Sequence, residues 1–222
     1  MEQMSDMEPP MNRWLLRARE IQALTQAGLV STQDDYDRER YRQLDALAAQ
    51  VLAQHGSLDP SDSGARLAPR VSLATPKLGV RGAIFRDDRM LLVRERADHH
   101  RWTLPGGWVD VNETPASAVA REVREEAGLH VRAYKLAAVW DRARHPHGAT
   151  ETFHVWRLFF LCEITGGELR CGPETSEAGF FAEHELPQDL STRRVLLPQL
   201  RRMFTHLRQP ALPTDLDDPS GM

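Results

Sequence analysis

Three glutamates, Glu122, Glu125 and Glu126, lie within five residues of one another in a stretch that reads as a helix from Pro115 to Ala127. At about 100° per residue, Glu122 and Glu126 stand one turn apart and point the same way, with Glu125 beside them. Like charges at this spacing cost roughly 0.2–0.5 kcal/mol per pair even when exposed. They also crowd the C-terminal half of the helix, where its dipole disfavours anions. Folding gives no reason for this placement, but a hard divalent cation does. Mg2+ or Mn2+ takes carboxylate oxygens and leaves positions for water and substrate phosphates. Gly106 and Gly107, just upstream, would let backbone carbonyls approach such an ion, which makes Gly106 a further candidate ligand. Glu113 and Arg121 have the charges to form an ion pair tying the intervening loop to the helix.

The helix that carries the glutamates has clear ends. Thr114 suits its N-cap, Pro115 its first position and Gly128 the left-handed residue beyond it. Ala116, Val119, Ala120, Val123 and Ala127 share one side and can bury themselves against a sheet. Around it the pattern is strand-like. Val80–Phe85 and Met90–Val93 flank Arg86-Asp87-Asp88-Arg89 as a hairpin. Trp102–Leu104 is a short strand ended by Pro105-Gly106-Gly107. Val131–Trp140 and Phe153–Ile164 are long strands, Gly166-Gly167 a turn and Gly179–Phe181 a last short strand. A second helix spans about Ser191 to Leu207. Strands mixed with two helices indicate an α+β fold.

The stretch from Gly107 to Leu129 resembles the Nudix box, GX5EX7REUXEEXGU with U aliphatic. Gly107, Glu113, Arg121, Glu122, Glu125, Glu126 and Gly128 match its seven fixed identities, and Val123 and Leu129 its aliphatic positions. The resemblance implies an α/β/α sandwich with a mixed sheet. It implies an enzyme in which water, with divalent metal ions, cleaves the pyrophosphate bond of a nucleoside diphosphate linked to another moiety. By position it makes Glu122 and Glu126 the main metal ligands and catalytic residues. Glu125 becomes a further ligand or a support, and Gly107, Glu113, Arg121 and Gly128 structural. The segments WLLRAREIQALTQAGLVSTQDDYDRERYRQL, LLVRERADHHRWTLPGGWVD and FFLCEITGGEL are similar to a Nudix subgroup with an N-terminal helical extension. That subgroup includes CDP-choline and ADP-ribose pyrophosphatases, and the extension implies a homodimer.

The box does not fix the general base. Several members of the family carry a carboxylate in the loop before the last strand. Glu174 and Glu177 occupy that place here, with Glu177 the preferred candidate. Arg81, Arg94 and Arg96 come from strands expected to flank the site and are candidates to hold phosphate. Arg142 and His145, in WDRARHPH, could read the rest of the substrate.

The whole chain bounds these readings. It has 222 residues, 27% of them charged, with a net charge of −4. All but two of its 28 basic residues are arginine. The acidic balance disfavours nucleic acid as a partner, and with it the alternative of an RNA 5′-end pyrophosphohydrolase. A non-catalytic ADP-ribose sensor is disfavoured by the intact box. The longest apolar runs are too short for a membrane span. The acidic first residues lack the apolar core of a signal peptide, and the two isolated cysteines suit a reducing compartment, so a cytoplasmic address is expected.

Residues 1–11 read as a disordered leader and 12–55 as two amphipathic helices. Their stripes are Trp14, Leu15, Ile21, Leu24 and Leu29, stopped near Gly28, and then Leu44, Leu47, Ala48, Val51 and Leu52. The second opens at Ser31-Thr32, with Tyr36 and Tyr41 upstream of its stripe. Residues 56–76 read as a linker, 77–208 as the hydrolase domain and 209–222 as a loose tail.

Overall fold

A computed structural model describes residues 13–55, 75–110, 112–147 and 153–218. The expected leader, nearly all of the linker and the last four residues lie outside the described residues. The chain divides into two compact units.

In the first, α1 (Arg13–Ser31) and α2 (Asp35–His55) form a hairpin. Leu15, Ala18 and Leu29 of α1 are buried, as are Ala48 and Leu52 of α2. Helix α1 runs three residues past Gly28, where a Cβ would come within 2.4 Å of the Tyr41 ring. Glycine serves close helix packing there, not a stop. Helix α2 starts three residues after the expected Ser31-Thr32, with Asp34 Oδ1 accepting from the Asp37 N–H at 3.0 Å. Much of the expected apolar stripe faces outward. Trp14 is 66% exposed, Leu24 72%, Leu44 45% and Leu47 57%.

The second unit is built on a mixed seven-stranded sheet. Its strands are β1 (Lys77–Arg86), β2 (Arg89–Glu95), β3 (Arg101–Thr103), β4 (Leu129–Asp141), β5 (Val155–Gly167), β6 (Thr175–Phe181) and β7 (Asp215–Leu216). The order is β3-β2-β1-β5-β4-β7, with β6 also on β2. Alternation along β2 sends its side chains to opposite faces. Met90 and Leu92 join a core with Trp102, Phe159, Leu200, Met203 and Phe204. Leu91 and Val93 join another with Val119, Val123 and Phe160. Helix α3 (Pro115–Ala127) covers the second face and α4 (Leu197–Arg208) the first, giving the expected α/β/α sandwich. Among the described residues no helix is long and apolar enough to cross a membrane.

Three local expectations need correction. Strand β5 runs through Gly166-Gly167, pairing Gly167 with Leu129. Helix α4 starts at Leu197, not near Ser191, because Pro198 has no N–H to give and its ring excludes a helical carbonyl four residues earlier. That carbonyl, of Arg194, accepts from Arg157 instead. The tail is not loose through Asp218. Residues 215–216 add a parallel strand to β4, and Thr214 Oγ1 donates to the Leu136 carbonyl at 2.8 Å. Asp215 takes Arg202 Nη2 at 2.6 Å and His206 Nε2 at 3.0 Å. An acidic residue of the expected loose tail, Asp215, is here the partner of basic groups on α4.

Candidate active site

Strands β1 and β2 pair at their hairpin end, through Phe85–Met90 and Arg86–Arg89. Farther along, the segment after β3 takes over the edge of β1: Gly82 N–H donates to the Pro105 carbonyl at 2.9 Å and Val80 N–H to Gly107 at 2.8 Å. This brings the Pro-Gly-Gly turn beneath α3. Thr114 caps α3, accepting from the Ser117 N–H at 3.1 Å, and Gly128 ends it at φ 71°. With Ala118, Val119, Val123 and Ala127 buried, the helix rotation is fixed and the neighbouring face meets the turn.

Glu126 lies there, 5% exposed. Its Oε2 accepts the Gly106 N–H at 3.0 Å. The Gly106 carbonyl accepts from Arg81 Nη1, so the main chain of one residue joins the buried carboxylate to a buried guanidinium. Gly106 has φ 145°, and a Cβ on it would stand 2.1 Å from the Val80 carbonyl oxygen. A Cβ on Gly107 would stand 2.5 Å from Glu122 Oε1. The two glycines are what let main chain reach both carboxylates. Gly106→Ala is therefore expected to destabilise the fold by roughly 2–4 kcal/mol. It should also lower turnover at least about a hundredfold, read by thermal melts and initial rates.

Arg121 holds the flank of the site. It donates Nε to Glu113 Oε1 and Nη2 to Glu113 Oε2, both at 3.0 Å, and Nη2 also to the Trp108 carbonyl at 3.1 Å. Its Nη1 reaches Glu122 at 2.9 Å and Glu125 at 3.2 Å. These carboxylates raise its pKa further, and Arg121 in turn holds Glu113 below the usual carboxylate range. Burial pushes Glu126 up to about 8; Arg81 opposes this, and the charges of Glu122 and Glu95 add to it. Burial also raises Glu122, against the pull of Arg121.

The family model for the Nudix domain matches residues 75–200. The chain belongs to the Nudix family. Residues 12–62 match a second Nudix-associated model, the UDP-X-like N-terminal oligomerisation domain. The chain is 39% identical over 205 residues to Bacillus subtilis YjhB, whose name gives it provisionally as an ADP-ribose pyrophosphatase. That match spans 92% of this chain and 97% of the relative. A solved UDP-X diphosphatase is 30% identical, with a TM-score of 0.59, over 93% of this chain and 99% of its own. An ADP-ribose pyrophosphatase from Streptococcus suis is 37% identical, with a TM-score of 0.58, over 64% of this chain and all of its own. The chain is accordingly a Nudix pyrophosphatase.

Nudix hydrolases generally work with divalent metal ions, and the residues here suit one. Two adjacent carboxylates, one of them almost fully buried, carry negative charge that burial disfavours and a cation would stabilise. Among the described residues, no three acidic, histidine or cysteine side chains close a cage of their own. That donor set fits Mg2+ or a similar ion, which commonly binds through one or two carboxylates and completes its shell with water and substrate phosphate.

Several other expected site residues are engaged by partners of their own. Glu125 is half exposed and shared between Arg121 and Arg124. Glu177 belongs to a strand, not a loop, directly across from Arg94. Arg94 claims it at 3.0 Å and Asp189 at 2.7 Å, which also takes up the guanidinium expected to hold phosphate. Arg96 Nε donates to the Thr175 carbonyl, and the Glu174 carbonyl accepts the Arg96 N–H. His145 is engaged by Asp217 at 3.0 Å, and Arg142 is buried with Nε on the Arg193 carbonyl. Arg81 is buried, with Nη1 on the Gly106 carbonyl.

Sequence reading missed Glu95 and Arg194. Glu95 is 3% exposed, pairs with Arg194 Nη2 at 3.1 Å and adds to the field on Glu126. Its signal was there: Leu91, Val93 and Glu95 alternate inward along β2, so a charge stands at a core position.

Proposed function

We infer that this Nudix hydrolase splits the diphosphate of a nucleoside diphosphate joined to a second moiety. ADP-ribose and UDP-linked compounds are the foremost substrates, and CDP-choline is a further candidate. The observation that carries the reading is the buried Glu126 carboxylate, one turn from Glu122 and hydrogen-bonded to Gly106. In this reading Glu122 and Glu126 hold Mg2+ or Mn2+, with Glu125 at the solvent edge. Held there, such an ion would supply charge neutralisation for the diphosphate, activation of water and stabilisation of the departing phosphate.

The chain's own groups do the positioning. The Gly106 N–H fixes Glu126 Oε2, Arg81 fixes the Gly106 carbonyl, and Arg121 with Glu113 fixes the loop that carries both. Water then attacks one phosphorus, the bridging P–O bond breaks, and the products are a nucleoside monophosphate and a phosphorylated second moiety.

The test is a substrate panel with Mg2+ or Mn2+, with Glu126→Gln beside the parent. ADP-ribose should give AMP and ribose 5-phosphate, and a UDP-sugar UMP and sugar 1-phosphate. CDP-choline would give CMP and phosphocholine. Failure on every nucleoside diphosphate overturns the reading and favours a non-catalytic sensor.

The N-terminal hairpin supports a homodimer. Its outward apolar side chains need cover, and its residues match an oligomerisation domain. Because Leu24 and Leu47 are exposed within the protomer, Leu24→Glu with Leu47→Glu should leave the fold intact. By light scattering the variant is expected to run as a monomer where the parent runs as a dimer. The two free cysteines, one buried and one exposed, agree with a cytoplasmic setting.

A further inference from the structure

Glu126 is the last residue but one of α3. The final carbonyls of a helix have no partner within it, and helix ends fray. Glu122 stands one turn further in. Burial disfavours the Glu126 charge, which presses the last turn to give way and return the carboxylate to water. A hold from outside the helix must oppose this.

The segment between β5 and β6 supplies it. It crosses the end of α3 so closely that side chains have no room at the crossing. A Cβ on Gly128 would stand 2.5 Å from the Glu168 carbonyl oxygen, and one on Gly172 would run into the Glu125 carbonyl. The Ala127 carbonyl accepts the Arg170 N–H at 3.0 Å, and the Glu126 carbonyl accepts the Gly172 N–H at 3.3 Å.

The shorter bond to the Glu126 carbonyl comes from a side chain. Thr175 Oγ1 donates to it at 2.7 Å and accepts the Gly172 N–H at 2.9 Å. This threonine is fully buried. It is fixed in turn by the end of β2, where it lies across from Glu95 and its carbonyl accepts Arg96 Nε at 3.0 Å. The neighbouring Glu174 carbonyl accepts the Arg96 N–H at 2.9 Å. Glu126 is thus gripped at both ends, by Thr175 at its main chain and by the Gly106 N–H at its carboxylate. Packing alone would be met by valine, which fills the same volume. A hydroxyl taken out of water stabilises a fold only through the bonds it makes there.

We propose that Thr175 is a positioning residue of the active site: its bond to the Glu126 carbonyl holds the last turn of α3 so that the Glu126 carboxylate stays against Gly106, ready for a divalent ion. Thr175 itself touches neither ion nor substrate. This rests on the pyrophosphatase reading for what Glu126 does once held.

Amide hydrogen exchange of the protein in EDTA, followed by NMR, tests the hold directly. Glu126 Oε2 covers the Gly106 N–H, whereas the Val80 and Gly82 N–H groups on the same turn are covered by main-chain carbonyls. In Thr175→Val, exchange at Gly106 is expected to rise at least about tenfold relative to Val80 and Gly82. A merely structural role would speed all three together, through a shared opening. Thr175→Ser keeps the hydroxyl and should hold the ratio to within about threefold of the parent. Thr175→Ala sets no methyl group against the carbonyl and carries the same expectation if the valine variant does not fold. Calorimetric Mn2+ binding should weaken about tenfold in Thr175→Val, as for groups that orient metal ligands, and recover with serine.

Equal acceleration of the three amides, or Mn2+ affinity within about twofold of the parent, overturns the proposal and leaves the hydrolase reading standing. If the parent binds no Mn2+ and splits no nucleoside diphosphate, the hydrolase reading falls, and the exchange pattern alone decides whether Thr175 holds Glu126.

Discussion

Glu126→Gln is expected to lower turnover about a thousandfold and, in the metal-free protein above pH 8, to raise the melting temperature. The first effect follows from losing a charge that sits where the diphosphate must be met; interactions of several kcal/mol at a metal centre translate into two to four decades of rate.

The second follows from the same burial. The Glu126 carboxyl is pushed up to about 8. Between the ordinary carboxylate value and about 8, the folded state therefore holds a proton that the unfolded state has released. Folded protein binds more protons in that window, so stability falls as pH rises through it and is lowest above about 8. The full penalty is about 3–5 kcal/mol. Glutamine keeps an oxygen for the Gly106 N–H and carries no charge, so it escapes the penalty. Calorimetric melts in EDTA should show parent and variant within about 2 °C at pH 5 and the variant several degrees higher at pH 9. Adding Mn2+ should raise the parent and leave the variant where it was. Coincident melts from pH 5 to 9 in EDTA would remove the buried-charge account of this site.

The box was legible because its requirements are local. One helix with a cap, a proline, a left-handed glycine and a single apolar side determines where Glu122 and Glu126 point, and each of those signals lies within 23 residues. The turn at Asp87-Asp88 was legible for the same reason; both residues take positive φ, as a tight hairpin requires.

What was not legible depends on pairing between distant segments. Glu177 reads as a loop acid until β6 is seen to run against β2, which hands it to Arg94. Residues 209–222 read as a loose tail because nothing in their own sequence says that Arg202, His206 and Leu136 are waiting for Asp215 and Thr214. Arg81 looked like a phosphate ligand by residue type, yet it is buried and donates to the Gly106 carbonyl. The apolar stripes of the first two helices marked them as helical but not which of those residues they bury, since an outward stripe and an inward one have the same period.

Arg121→Met is expected to lower activity by the opposite thermal route, losing stability instead of gaining it. The guanidinium meets both oxygens of Glu113, the Trp108 carbonyl, Glu122 and Glu125. Its removal leaves three carboxylates facing one another and takes away the ties from the helix to Trp108 and Glu113. Since the side chain is a quarter exposed, water offsets part of the loss. A destabilisation of about 2–3 kcal/mol is expected, with a fall in melting temperature of roughly 4–12 °C.

Arg121→Lys keeps a charge but not the fork that spans Glu113, and should fall between the two. The acid limb supplies a second reading. Arg121 holds Glu113 below the usual carboxylate range, so that pair's stabilisation is present above the ordinary carboxylate value and is lost as pH falls through the depressed one. In Arg121→Met the decline of stability below about pH 4.5 should be shallower. Activity should fall about 10–100-fold, as for groups that orient ligands without touching substrate. The sign of the melting shift in EDTA at pH 9 thus separates two kinds of residue in one box. A residue whose buried charge awaits a cation stabilises the protein when neutralised, and a residue that ties the loop to the helix destabilises it. A rise in melting temperature for Arg121→Met would place Arg121 in the first class and overturn its framework role.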